Sequence, residues 1–373
     1  MQAALPTSHY FSPDIYALEQ QRLFGRLWIF ACLKTALGAD QAYATRSIGG
    51  RPVLIQNTGG RIRAFENACA HRLMPLHSEA FGQGRLVCPY HGWVFDEAGA
   101  VKTIPKADTL YQFREAQRQE LRLKEYAVQV LGNLVFVNLD PAPLPIEQQF
   151  SPDLIAQLQA ISSHFGEVSV HVEIPTRYNW KLNFENVLDH QHVPYVHPKS
   201  FQPLIRAAQV EPAATTAPPV PDHPAPSDRL LDQSWASTTP MQIAHWPWHD
   251  QVERYGPPDT YHNHFLFPNV NFISVGGLVF LVQQFDPVSP TQTQVRFTLC
   301  TARPTGRLPA LPAILRGHLK SEVEVLMEDV AHLEQLQAGL HAGSPPVHHG
   351  RYEHALVGFG RVYRRWLEEA RPC

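Results

Sequence analysis

The amino-acid sequence predicts an α+β fold in which a small all-β domain is inserted in a larger domain of helices and an antiparallel sheet. Three observations predict it. Residues 42–142 break into short β-like runs punctuated by glycine turns. The segments on either side carry apolar residues at helical spacing, and the second half holds long strand-like stretches ahead of one long amphipathic helix. The expected division is an N-terminal helical segment at 1–41 packing with the larger domain, the all-β domain at 42–142, and the larger domain at 143–373.

Taken in order, Ser12 and Pro13 stand at cap and first-turn positions ahead of Ile15, Leu18, Leu23, Phe24 and Leu27, which predicts an amphipathic helix ending near Trp28. Runs at 52–56, 61–65, 93–95 and 134–139 read as strands, with turns at Gly59-Gly60 and Glu97-Ala98-Gly99. Helical patterns return at 152–165 and 181–193. Residues 211–228 then bring six prolines among alanines and threonines, which excludes helix and central strand and leaves a long surface loop or flap. Residues 265–285 and 292–302 read as strands and 314–340 as the long helix.

With 373 residues, 44% hydrophobic and 17% charged, the balance is that of an ordinary globular chain, and a net charge of -3 predicts no nucleic-acid affinity. The five cysteines, Cys32, Cys69, Cys88, Cys300 and Cys373, form an odd set in a chain too large to need disulfide staples. The first residues lack the basic start and apolar run of a secretory signal, and the longest apolar stretch, 272–282, is far shorter than a bilayer span. A cytoplasmic protein without a membrane partner is expected.

Two metal-ligand patterns stand about a hundred residues apart. The first is Cys69-x-His71 with Cys88-x-x-His91. Two thiolates and two imidazoles at such loop spacings can hold a [2Fe-2S] cluster with histidines on one iron, and neutral imidazoles remove negative charge and raise its potential. Pro89 and Gly92 supply the tight turn. Zinc is the competing occupant, but the C-x-H half is unusual for a zinc finger and the 16 residues between the halves lack a finger's ββα pattern.

The second pattern lies in NWKLNFENVLDHQHVPYVHP. A helix at 181–193 stopped by Pro194 would put Asp189 and His192 at i, i+3 on one face, with His197 folding back beyond the break. Two imidazoles and a carboxylate form the open facial triad of mononuclear iron(II) oxygenases. The carboxylate should come from the late helix, where Val323, Leu326, Val330, Leu333 and Leu336 mark the buried stripe; periodicity points Asp329 inward and Glu328 outward. A carboxylate among leucines is costly unless paired or metal-bound, which favours Asp329, with Glu334 as competitor. His262 and His264 on one strand face, and His348-His349 in a Gly/Pro loop, are weaker metal candidates.

Cys69-Ala-His71-Arg72 with Cys88-Pro-Tyr-His91-Gly-Trp93 resembles the Rieske motif, and with the second pattern the chain resembles the α subunit of Rieske non-haem iron oxygenases over nearly its whole length. The resemblance implies a Rieske domain inserted in a helix-grip-like catalytic domain. It implies Cys69, His71, Cys88 and His91 as ligands of a [2Fe-2S] cluster, and His192, His197 and Asp329 as ligands of iron(II). It also implies O2 as co-substrate, and NAD(P)H acting through a partner reductase with or without a ferredoxin. Electrons would cross between neighbouring subunits of a ring, most often a homotrimer, with a β subunit possible, and Asp189 matches the bridging carboxylate between His91 of the neighbour and His192.

The activities implied are monooxygenation, cis-dihydroxylation or oxidative demethylation of a small molecule. Relatives acting on carnitine-like amines tend to carry Glu at the bridging position, so Asp189 leans towards an aromatic substrate, with Phe265, Phe267, Asn271, Phe272 and Phe280 as candidate pocket residues. Arg61, Arg63, Arg72 and Arg85 lie where an acidic ferredoxin could dock, or form a solvated face. The alternative from another class is a non-catalytic electron carrier or ligand-binding protein that lacks the mononuclear iron; intact His192, His197 and Asp329 speak against it.

Overall fold

The structure, a computed structural model, describes residues 2–3, 5–208, 235–343, 347–350 and 353–368, so the proline-rich stretch at 211–228 lies outside the described residues. The chain divides into two compact units, residues 20–146 and residues 1–19 with 147–373.

In the 20–146 unit, seven strands form one antiparallel sheet in the order Ile29–Leu33, Leu134–Asn138, Glu125–Leu131, Arg61–Glu66, Arg51–Thr58, Ala42–Ile48, Phe81–Gln83. The first strand shifts the expected boundary at 42. The sequence IFACL is buried at every position and pairs with Leu134–Asn138, so residues 20–41 join the β unit and only residues 1–19 go with the larger one. The opening helix ends correspondingly early, at Pro13–Glu19, and a π turn over Gln20–Phe24 carries the chain towards the strand. Five consecutive buried apolar residues suit a strand covered on both faces, not the one-sided stripe of a surface helix. Gly59 and Gly60, at φ +59° and +86°, make the hairpin turn that a β-carbon would strain. Cys69, Cys88 and Trp93 are buried in one core with Leu54, Phe65 and Phe95.

The larger unit is built on six antiparallel strands ordered Phe165–Thr176, Gln292–Ala302, Val279–Ser289, Val270–Val275, Thr260–Leu266, Trp235–Pro240. Helices Trp180–Leu188 and Leu311–Ala342 pack on this sheet. The seam of the long helix runs through Leu326, Val330, Leu333, Gln337 and Leu340 in steps of four and three. Leu336, expected in that seam, lies one residue off it and is 49% exposed.

The Trp180–Leu188 helix is fixed by a polar knot that no local pattern announces. Lys181 Nζ lies 2.5 Å from Glu19 Oε1, and both side chains are fully buried. Trp180 Nε1 and Tyr363 Oη donate to the same carboxylate at 2.9 and 2.5 Å, and the rings of Tyr10, Trp180 and Tyr363 face the ammonium at 5.1–5.4 Å. Burial lowers the Lys181 pKa and Glu19 opposes that shift, so the charged pair survives because each ion satisfies the other. Tyr10 Oη donates to Glu185 Oε1 at 2.6 Å one turn further on.

Lys181→Met should destabilise the protein by about 3–5 kcal/mol, because it strands the Glu19 charge. The Glu19→Gln/Lys181→Met double variant should cost clearly less than the two single changes added together, as read by chemical denaturation with a double-mutant cycle.

Candidate functional site

The first pattern forms two loops built alike. Leu73 N–H donates to Cys69 O at 2.9 Å and Gly92 N–H donates to Cys88 O at 3.0 Å, each four residues on. Leu73 and Gly92 both take positive φ, +60° and +70°. The loops bring His71 Nδ1 and His91 Nδ1 to 3.2 Å, with the His71 ring stacked on Trp93 at 4.9 Å. The Cys69 and Cys88 thiols lie within reach of each other, and burial pushes the Cys69 thiol up to about 11. A buried pair of thiols beside two converging imidazole nitrogens fits a two-iron cluster, whose positive irons would hold the sulfurs as thiolates. Leu73, Met74 and Tyr90 around it are 74%, 39% and 58% exposed. Arg72 lies over the Tyr90 ring and Arg63 pairs with Glu125.

The second pattern also converges, by a different local path from the one expected. The helix ends at Leu188, Asp189 is its extended C-cap, and Pro194 opens a new short helix, Val193–Val196, with His192 as its N-cap. Asp189 and His192 therefore flank a turn and do not share a helix face. Proline belongs in a first turn, where its missing N–H leaves no bond unmade.

Among the described residues, His192, His197 and Asp329 are the set of three whose donor atoms lie within 4.8 Å of one another. Asp329 Oδ1 is 3.0 Å from His197 Nε2 and 3.6 Å from His192 Nε2, yet it is buried without a hydrogen bond. Two imidazole nitrogens and a carboxylate oxygen gathered this closely, with the oxygen left unpaired, form a donor set that could hold one ion.

Each imidazole turns its far nitrogen to a carboxylate. His197 Nδ1 is 2.6 Å from Glu328 Oε2, which also accepts from Ser200 Oγ at 2.6 Å. His192 Nδ1 is 3.7 Å from Asp189 Oδ2, an approach short of a hydrogen bond. Glu328 keeps the His197 proton on Nδ1 and leaves its Nε2 free for a metal, whereas the buried His192 Nδ1 makes no hydrogen bond among the described residues. Burial would raise the Asp189 carboxyl, but His192 and the Gln191 N–H outweigh it and hold the pKa below its usual value. Burial likewise pulls His197 down, and Asp329 with Glu328 reverses the shift.

Glu328, expected to point outward, is thus the site residue that periodicity missed; the loop carrying His197 and Ser200 lies across it. Glu334 is occupied by Arg177 at 2.9 Å. His262 and His264 alternate with Tyr261 and Asn263, which line the cleft, and His264 stacks on Phe272. His348 and His349 pair as a strand with Gln2–Ala3. The expected pocket is also revised. Asn271 lines the cleft with Asn183, Asn263, Gln283, Phe285 and Tyr261, whereas Phe272 and Phe280 pack with Phe165 and Phe265 packs on Phe184.

Comparison with known families gives two matches in register with these units. A Rieske [2Fe-2S] domain matches residues 27–120, and the catalytic domain of the ring-hydroxylating alpha subunit matches residues 163–369. The chain belongs to the ring-hydroxylating alpha-subunit family of Rieske oxygenases. Choline monooxygenase of Spinacia oleracea is 30% identical over 52% of this chain and 44% of its own length. The glycine betaine monooxygenase oxygenase subunit of Chromohalobacter salexigens is 31% identical over 57% and 48%. The matched region thus spans about half the length of these relatives. The quaternary ammonium Rieske monooxygenase CntA in complex with L-carnitine shares the fold with a TM-score of 0.73 and 19% identity, over 98% of this chain and 96% of that one. Naphthalene 1,2-dioxygenase from Rhodococcus sp. bound to indole has the same TM-score at 18% identity, over 99% and 95%. No described helix is long and apolar enough to cross a membrane.

Glu328→Gln should lower affinity for ferrous iron roughly 10–100-fold, measured by competition with a chelator, while the visible absorption of the cluster is unchanged. Cys69→Ala should abolish that absorption and take the iron content from about three per chain to about one.

Proposed function

We propose that the protein is an oxygenase that uses O2 and electrons from a partner reductase, with or without a ferredoxin, to oxidise a small substrate bearing a cationic nitrogen. The observation that carries the reaction type is the convergence of His192, His197 and Asp329 beside an open cleft, in a chain that also holds the Cys69, His71, Cys88 and His91 loops. When bound, the two iron centres supply single electrons and reduce dioxygen. The protein residues hold, orient and insulate. Glu328 fixes the His197 proton, and the amides of Asn263, Asn271 and Gln283 give a substrate polar contacts.

The amine reading is supported by the polar lining and by the names of two relatives, a choline and a glycine betaine monooxygenase. An aromatic substrate is the second reading. Asp189 at the bridging position favours it, as does 30% identity over half the chain to the large subunit of anthranilate 1,2-dioxygenase from Acinetobacter baylyi.

In the working assembly, a ring of three copies, Asp189 of one subunit would accept a hydrogen bond from His91 of the next. Exposed Leu73, Met74 and Tyr90 near the cluster loops, and Tyr195, 85% exposed near Asp189, are suited to such a contact.

Incubating the reduced holoenzyme with O2 and choline, glycine betaine, benzoate or anthranilate, followed by mass analysis of products, should yield oxygenated or demethylated amine; oxidation of the aromatic acids alone would select the second reading. Asp189→Asn should retain both metals and reduce turnover at least tenfold, and unchanged turnover would remove its bridging role.

A further inference from the structure

The cleft at His192, His197 and Asp329, about 90 Å³ of free space, adjoins a roomier chamber of about 400 Å³ walled by Leu204, Met241, Ile243 and Trp246. Phe201, Tyr261, Glu322 and Val325 line both, so they form the neck between them. Glu322 is on the long helix, two turns before Asp329. No hydrogen bond or ion pair reaches its carboxylate among the described residues. Desolvation acts on it alone and pushes its pKa up to about 7, while the residue keeps some accessible surface. Tyr261 lines the same neck and its ring meets Phe201 edge-on at 4.9 Å, so the carboxylate shares the neck with two aromatic side chains.

A carboxylate partly withdrawn from water without a partner is costly, whereas other acids of this unit are met: Glu19 by Lys181, Asp286 by Arg296 and Glu185 by the Tyr10 hydroxyl. Glu322 has room beside it instead of a partner. A proton can neutralise it, as its raised pKa reflects, and in its charged form a cation arriving from the cavities can compensate it. A negative charge in a neck shared with two aromatic side chains suits a bulky cation such as a substituted ammonium, which needs charge and π-surface but no directed hydrogen bond.

Resting on the amine reading above, we propose that Glu322, with Tyr261 and Phe201, is the substrate's cation-recognition site. It seats the ammonium at the neck so that the rest of the molecule extends into the cleft at His192, His197 and Asp329. A neutral or anionic molecule of the same shape leaves Glu322 uncompensated and is selected against.

The test is calorimetric titration of the holoenzyme with choline and with its neutral carbon isostere, 3,3-dimethyl-1-butanol. The native protein should bind choline at least roughly tenfold more tightly. Glu322→Gln should bring the two ligands level, with cluster absorption and iron content unchanged, and Glu322→Asp should keep part of the preference. If Glu322→Gln does not accumulate as folded protein, Tyr261→Leu, which removes the ring and spares the carboxylate, should still weaken choline more than the alcohol. Preference retained in Glu322→Gln would overturn the assignment while leaving the amine reading intact. Absence of any preference in the native protein would overturn both.

Discussion

The Glu19–Lys181 ion pair is the constraint on which the catalytic unit turns. Both charges are fully buried, so neither can be left alone, and the pair ties the start of the chain to the first turn of the Trp180–Leu188 helix. The same carboxylate takes hydrogen bonds from Trp180 and from Tyr363 on the C-terminal helix His354–Glu368. Three segments distant in sequence are thereby locked around one ammonium. The helix so held ends on Asp189, and the next turn carries His192; the position of the metal donors is inherited from a knot of charge two turns away. A site that must keep three donor atoms near one point within a fraction of an ångström gains from rigid support of this kind.

The two metal-binding regions solve the same problem by different means. At the cluster loops the backbone does the positioning: two turns with matching carbonyl contacts and a left-handed residue present thiol and imidazole from each side. Gly92 takes that conformation freely, whereas Leu73 takes it at some cost, with its side chain turned to solvent. At the mononuclear site the side chains do the positioning, through carboxylates behind the two imidazoles. Loops suit a cluster with ligands in two local pairs. Orienting carboxylates suit an ion whose donors come from two short segments and a remote helix.

Much of this was legible in the sequence where the signal is local. The ligand spacings, the strand at Gln292–Ala302 and the inward face of Asp329 all follow from residues near one another in the chain. Pro194 misled because a proline after an apolar run stops one helix or starts another equally well; the choice is made by the turn at Asp189 and His192. Glu328 misled because helical periodicity knows the axis but not what crosses it, and the His197–Ser200 stretch covers a face that would otherwise be wet. The strand Ile29–Leu33 finds its partner a hundred residues later, and Glu19 meets Lys181 across 162 positions, so neither carries a local pattern that would announce its partner.

The carboxylates that steady the imidazoles also set the electrical character of the cleft. Asp189, Glu328 and Asp329 gather three carboxylates about the two imidazoles, and a divalent ion held there would leave an excess of one negative charge. In a space walled by protein that excess is weakly screened, and its field extends over the length of a small molecule. On the amine reading proposed above, a cleft so charged would favour a cation by charge as well as by shape, while dioxygen, being neutral, would pass indifferent.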